Sequence, residues 1–392
     1  MPGRHSQVRG TVDARSPRRT RRRALPVTIA VVAVAVVAVA AAVVMYPKTG
    51  TSRAATAPVA AGKASDAAAV AVPFSLVAVT PTNAATAVPT DASISVAFST
   101  PLAPTSPQPT LSPPVAGSWQ LLTPTTFTFV ATAPLVPYST ESVTIPATVR
   151  SASGKVLGTP TTVQFSVATG TTLRLQQLLA SLGYLPLSFT PAAPLAAPQE
   201  AAQAQAGTFA WRWTEPASLV ALWTQGADNT ITRGAVMAFE DHHGLKTDGV
   251  AGPAVWQALL SDAAAGTMDT APYDYVYVSQ ALPETTTVYS NGTQVYSTPS
   301  NTGVPAAPTG IGTFPVYERF TSTTMSGTNP DGSKYSDPGI PWVSYFNGGD
   351  ALHGFVRSSY GFPQSVGCVE MPPANAAVVY PLTPIGTLVT VA

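Results

Sequence analysis

The chain of 392 residues has one cysteine and four histidines. A single cysteine excludes an intramolecular disulfide, a CxxC redox pair and any multi-cysteine metal centre. Two of the histidines, His242 and His243, are adjacent, and neighbours in sequence do not share a helix face. With no cysteine or third histidine near them they lack the set a zinc site needs. Neither a metal nor a cofactor is expected. Charge is scarce as well: Asp, Glu, Lys and Arg make up 10% of the chain, against ~25% in an average soluble protein. Ala, Val, Thr, Ser and Pro fill the deficit, a composition of strands and spacers.

The net charge of +1 conceals an asymmetry. Residues 1–24 hold eight arginines against one aspartate, and the remainder holds 12 basic and 18 acidic residues. The basic block is therefore local. Alone, "RRTRRR" would suit a nucleic-acid arm, but it leads into Leu25–Tyr46, 22 residues without a charge. Such a run crosses a ~30 Å hydrocarbon core as a helix. Arginines on its N-terminal flank set the N-terminus in the cytoplasm. A secretory signal has a shorter apolar region, ~7–15 residues, and no cysteine ends the run as a lipoprotein anchor requires. The expectation is a basic cytoplasmic tail at 1–24, a transmembrane anchor at 25–46 and a flexible Ala/Thr/Ser-rich stalk at 47–72. The protein is then single-pass in the cell membrane with all later residues outside it, and no nucleic acid is a partner.

Residues 73–169 change character. "ASISVAFST", "TTFTFVAT", "ESVTIPATV" and "TTVQFSVAT" alternate apolar and polar positions between Pro, Gly and Asn. Period-2 runs at this spacing predict a small antiparallel sandwich. The segment resembles a bacterial Ig-like domain, and no polar cluster in it suits chemistry, so a spacer is the expected role.

Residues 171–264 switch to helical spacing. "LRLQQLLASLGYL" puts Leu175, Leu178, Leu179 and Leu182 on one stripe, closed by Gly183. A second helix is predicted after Thr232, a suitable N-cap, with Ala235, Val236 and Phe239 as its apolar face. The chain then turns at Asp248-Gly249 and restarts after Gly252-Pro253. "LQQLLASLGY" and "AVMAFEDHHGLKTDGVAGPAVWQAL" together resemble the three-helix peptidoglycan-binding domain. An insert at 186–228 departs from that pattern. Its "PAAPLAAPQEAAQAQAG" reads as disordered, and its "WRW" either packs on the helices or stacks on sugar rings.

Residues 273–392 return to alternating strands, with a hairpin turn at Asn291-Gly292 and a last strand in "GTLVTVA". Here lies "YGFPQSVGCVEM", with Cys368, and His353 is 15 residues before it. A lone cysteine is commonly a small buried hydrophobe. It is also a nucleophile when an imidazole takes its proton to give thiolate at neutral pH. The loop between them, with Gly361 and Pro363, is long enough to bring them together. Gly367 permits close approach of backbone to a substrate carbonyl, and the amides of Val366, Gly367 and Cys368 are candidate oxyanion donors.

The whole of 273–392, with "ALHGF" and "SVGCVEM", resembles the L,D-transpeptidase (YkuD-type) catalytic domain. His353-Gly354 and Ser365, Gly367, Cys368 and Val369 match its signature. The resemblance implies a mostly-β catalytic domain with Cys368 as nucleophile and His353 as general base. "TTMSG" with Met325, "PWVSYFNGG" with Trp342 and Tyr345, and Gly354 and Ser365 correspond to segments bordering the substrate cleft. The implied activity is 3→3 cross-linking of peptidoglycan stem peptides through a cysteine thioester. The implied partners are those peptides, the glycan and, as inhibitors, carbapenems. Two positions depart from the family: Val366 replaces a histidine, and Glu370 stands where arginine is common, reversing the charge beside the nucleophile. Hydrolysis by the same site (L,D-carboxypeptidase) and a non-catalytic wall-binding scaffold are the competing readings.

Overall fold

The computed structural model describes residues 72–392, so the anchor and nearly all of the stalk expected before Val72 lie outside the described residues. Among the described residues no helix is long and apolar enough to cross a membrane.

The alternating runs of the first segment form eight strands. They are β1 (Leu76–Thr80), β2 (Ala85–Val88), β3 (Ile94–Phe98), β4 (Thr110–Ser112), β5 (Gly117–Thr123), β6 (Thr126–Ala131), β7 (Thr140–Ile145) and β8 (Thr161–Val167). They assemble as two sheets, β1-β3-β6-β5 and β2-β8-β7-β4. Ile94, Val96 and Phe98 point inward from β3, and Val163, Phe165 and Val167 from β8. They share one core with Trp119, which meets Phe129 edge-on at 5.4 Å. This is the sandwich the alternation predicts, antiparallel except that β2 runs parallel to β8.

Helix α1 (Thr172–Ser181) follows, capped by the Thr171 hydroxyl and ended by Gly183 at φ +92°. The insert is ordered, against the expectation from its composition. It forms a hairpin of β9 (Leu187–Pro191) with β10 (Gly207–Trp211), then a short helix α2 (Ala217–Val220). Phe189 and Phe209 meet at 5.1 Å, and with Trp211 and Trp223 they pack on the helical core. Buried polar groups of α1 tie down the Ala/Pro/Gln loop. Gln177 donates to Gln205 O at 2.7 Å and accepts from Gln205 N at 3.0 Å, while Arg174 Nε donates to Ala201 O at 2.8 Å. A few aromatic and amide contacts from outside the low-complexity run thus override its composition. Trp211 is half-buried against the core.

The remaining helices are α3 (Thr230–His242) and α4 (Pro253–Ala265). The N-cap of α3 is Asn229, whose Oδ1 accepts the Thr232 amide at 2.9 Å. Thr232, expected as the cap, is instead buried inside the first turn, bonded to Gln176 at 3.0 Å. His242 Nδ1 meets the Tyr184 hydroxyl at 2.9 Å, and His243 Nε2 meets Asp262 at 2.9 Å.

Helix α3 also carries Glu240, 1% exposed, which accepts the Gly249 amide at 2.8 Å. Burial raises its pKa from 4.5 to about 7. The folded state therefore binds this proton more tightly than the unfolded chain does, and stability falls as pH rises through that window. Glu240→Gln keeps an acceptor for Gly249 and removes the charge. It is expected to stabilise the fold by about 1–2 kcal/mol at pH 8 and to change little at pH 5, where the carboxyl is already neutral. Thermal melts at the two pH values check this.

The C-terminal segment contains β11 (Asp274–Ser279), β12 (Thr285–Ser290), β13 (Thr293–Pro299), β14 (Gly312–Pro315), β15 (Glu318–Thr328), β16 (Lys334–Asn347), β17 (Asp350–Gly354), β18 (Val369–Met371), helix α5 (Pro373–Val379) and β19 (Leu388–Val391). One sheet has the order β13-β12-β11-β19-β14, the other β15-β16-β17-β18. Asn291 and Gly292, at φ 49° and 73°, make the tight turn between β12 and β13. Val276, Val278, Leu352, Val369 and Met371 are among the residues that fill the space between the sheets.

The helical core does not stop at the helices. Tyr275 of β11 and Leu388 of β19 belong to it. A Cβ on Gly386 would lie 2.3 Å from the Gly234 carbonyl of α3, so the two backbones touch. The Tyr275 hydroxyl bonds Ser218 at 2.8 Å and Thr390 at 2.7 Å. The helices and the β13-β12-β11-β19-β14 sheet share one apolar core.

Candidate active site

Strands β17 and β18 lie side by side and parallel, with His353 opposite Glu370. Cys368 immediately precedes β18, in the turn that leads into it. Cys368 and His353 line a cleft of about 260 Å³, together with Met325, Tyr335, Asp337 and Arg357. The parallel pairing closes the loop that separates the two residues in sequence.

His353 is 3% exposed, and its Nδ1 lies 3.1 Å from Gly354 O. A carbonyl only accepts, so Nδ1 carries the proton and Nε2 is left as an acceptor. The Cys368 thiol points to Gly349 O at 3.6 Å.

The turn before Cys368 is fixed from several sides. Gly367 has φ +113°, and a Cβ there would sit 2.7 Å from Asp350 Oδ1. Both facts require glycine. Ser365 is buried and donates its hydroxyl to Cys368 O at 2.5 Å. A strap of backbone holds the loop along its length. Ser365 N donates to Thr302 O at 3.0 Å, Val304 N to Ser365 O at 2.9 Å, and Glu370 N to Asn301 O at 2.9 Å. Glu284, buried beneath, anchors the strap by accepting the Thr302 amide at 2.6 Å and its hydroxyl at 2.8 Å. Among the described residues, the amides of Val366, Gly367 and Cys368 have no backbone acceptor.

Burial pushes the Cys368 thiol up to about 12, partly offset by the Ala351 amide and reinforced by Asp350 and Glu370. Burial pushes His353 below 6.5. At neutral pH the pair is therefore thiol and neutral imidazole. The thiolate expected from an adjacent imidazole is not the resting state, because desolvation opposes both charges at once.

Glu370 does not place a bare charge beside the nucleophile. It is 4% exposed and paired with Arg357, Nε to Oε2 at 2.7 Å and Nη2 to Oε1 at 2.8 Å. Both carboxylate oxygens are taken by one guanidinium fork. Arg357 also lies over the Phe355 ring at 4.6 Å.

Of the other residues singled out in the sequence, Met325 lines the cleft, and Tyr345 joins it in the apolar cluster beside Cys368. Val366 is 38% exposed at the cleft. Trp342 is not among the lining residues; its ring packs on Tyr380 at 5.6 Å. Gly354 faces α5, where a Cβ would meet Pro373 Cα at 2.9 Å. Arg357, Asp337, Tyr335 and Asp350 were not found by sequence reading. The one signal for them was the period-2 spacing of Tyr335 and Asp337 on β16, which puts both on one face.

Family comparison matches residues 273–391 to the L,D-transpeptidase catalytic domain (YkuD), 70–167 to a bacterial Ig-like domain and 224–259 to a peptidoglycan binding domain. No curated protein matches the chain. Similar solved structures include an L,D-transpeptidase from Mycobacterium smegmatis, 14% identical, covering 82% of this chain and 100% of that one at a TM-score of 0.28. L,D-transpeptidase 3 from Mycobacterium tuberculosis is 13% identical, covering 81% and 98% at 0.28. The catalytic domain of an E. faecium L,D-transpeptidase acylated by ertapenem is 25% identical, covering 32% and 100% at 0.28.

Proposed function

We propose that the chain is a cell-wall L,D-transpeptidase that works through a cysteine thioester. The observation that carries this reading is the β17–β18 register, which sets the one cysteine beside a buried histidine with a free Nε2, inside the segment that matches the catalytic domain. The donor is a tetrapeptide stem, cut between its third residue, a diamino acid, and the terminal D-Ala. As the thiol attacks that carbonyl, His353 Nε2 takes its proton. The oxyanion is met by the amides of Val366, Gly367 and Cys368. The C–N bond breaks, and His353 returns the proton to the departing amine of D-Ala. A side-chain amine of a second stem then attacks the thioester, the C–S bond breaks, and a 3→3 cross-link results.

The helical domain holds the enzyme on peptidoglycan and raises its local concentration there. The Ig-like domain and stalk set its distance from a single-pass membrane anchor, with the catalytic domain on the wall side. Incubation of the ectodomain with disaccharide-tetrapeptide, followed by mass analysis, tests the reading. Cross-linked dimers support it, tripeptide alone assigns a carboxypeptidase, and an inert protein leaves the scaffold.

Val366 bears on the last outcome. Position 366 serves through its backbone N–H, which valine keeps. Val366→His is therefore expected to change the acylation rate by less than ~10-fold, about 1.4 kcal/mol of barrier. An inert wild type made active by this substitution would overturn the enzyme reading.

A further inference from the structure

The charged side chains of the cleft do not balance. Arg357 and Glu370 neutralise each other, and His353 is neutral at neutral pH. Asp337 remains. It sits half-buried on β16, opposite Met325 in the β15–β16 ladder, and lines the same cleft as Cys368. Among the described residues it forms no ion pair. Its negative field reaches both His353 and Arg357. A carboxylate in a cleft wall with no ion-pair partner attracts a cationic guest.

The proposed reaction brings one such guest. The group that opens the thioester is a primary aliphatic amine, an ammonium at neutral pH because its pKa is ~10.4. We propose that Asp337 docks this ammonium, and so steers the acyl-enzyme towards aminolysis rather than hydrolysis. The inference rests on the transpeptidase reading above. The bound ammonium releases one proton to solvent, and the free amine attacks the thioester carbonyl. A C–N bond forms and the C–S bond breaks. The second proton passes from the attacking nitrogen to His353 Nε2 and on to the departing Cys368 sulfur, which restores the thiol. Water carries no charge for Asp337 to hold, so hydrolysis gains nothing from it.

Dimer and tripeptide arise from one acyl-enzyme, so their ratio is independent of how fast that species forms. Full-length protein and the D337N variant are incubated with isotope-labelled disaccharide-tetrapeptide as donor and increasing unlabelled disaccharide-tripeptide as amine acceptor, and labelled dimer and labelled tripeptide are quantified by mass. The D337N variant is expected to lower the dimer-to-tripeptide ratio at least fivefold and to raise the half-saturating acceptor concentration. Asp337→Glu, which keeps the charge, recovers most of the ratio. A ratio in D337N equal to or above wild type overturns this inference alone. A wild-type chain that forms no acyl-enzyme, or forms one that only hydrolyses, overturns the transpeptidase reading and this inference with it.

Discussion

Cys368→Ala should abolish acylation and cross-linking outright while the protein still folds. Alanine replaces one small group by another, so little packing is lost. The effect on chemistry is complete because no second thiol exists in the chain. Cys368→Ser should be nearly as inactive. The site already holds the thiol up to about 12 through burial, and a hydroxyl, intrinsically harder to ionise, faces the same desolvation with only His353 to help. Intact-mass analysis after exposure to a carbapenem reads this directly. Wild type is expected to gain one adduct, at Cys368, and both variants none, with melting temperatures close to wild type. Full turnover by either variant would remove Cys368 from the mechanism.

The parts of the site legible in the sequence are those that depend on short-range pattern. The period-2 runs fix the strands, the Asn-Gly pair fixes a hairpin, and the glycine before Cys368 reports a backbone that no other residue adopts without strain. The pairing of His353 with Cys368 could be anticipated as a loop length and from the family resemblance; its cause, a parallel β17–β18 contact, is a long-range fact. Arg357 was invisible for the same reason. Nothing in "HGFVRSSY" announces that its arginine reaches Glu370 across the loop, and without that reach Glu370 reads as a charge reversal at the nucleophile. The ordered insert is a further case. Its alanines and prolines carry no fold signal, and the groups that hold it, Arg174 and Gln177, look in sequence like the polar face of α1. Composition speaks for the segment that contains it, whereas order came from side chains elsewhere.

His353 provides the sharpest test of how the proton moves. Its Nδ1 is committed to Gly354 O, so the one basic lone pair on the imidazole is at Nε2. With the thiol neutral at rest, acylation requires that nitrogen to accept the proton as the sulfur attacks. His353→Ala is therefore expected to cost at least ~10²-fold in acylation rate, the low end for a lost general base. His353→Gln, which restores hydrogen bonding and bulk but not basicity, should be no better. The pH profile separates this role from a structural one. A base works only when unprotonated, so activity is lost as pH falls through its pKa in the folded protein. Burial lowers that pKa below 6.5. The rate of carbapenem acylation should then rise to a plateau with a midpoint below pH 6.5 and stay level from pH 7 to 8. In His353→Gln the residual rate should lose this acidic limb. A midpoint above pH 7, or a limb that survives the substitution, would place the base on another residue of the cleft.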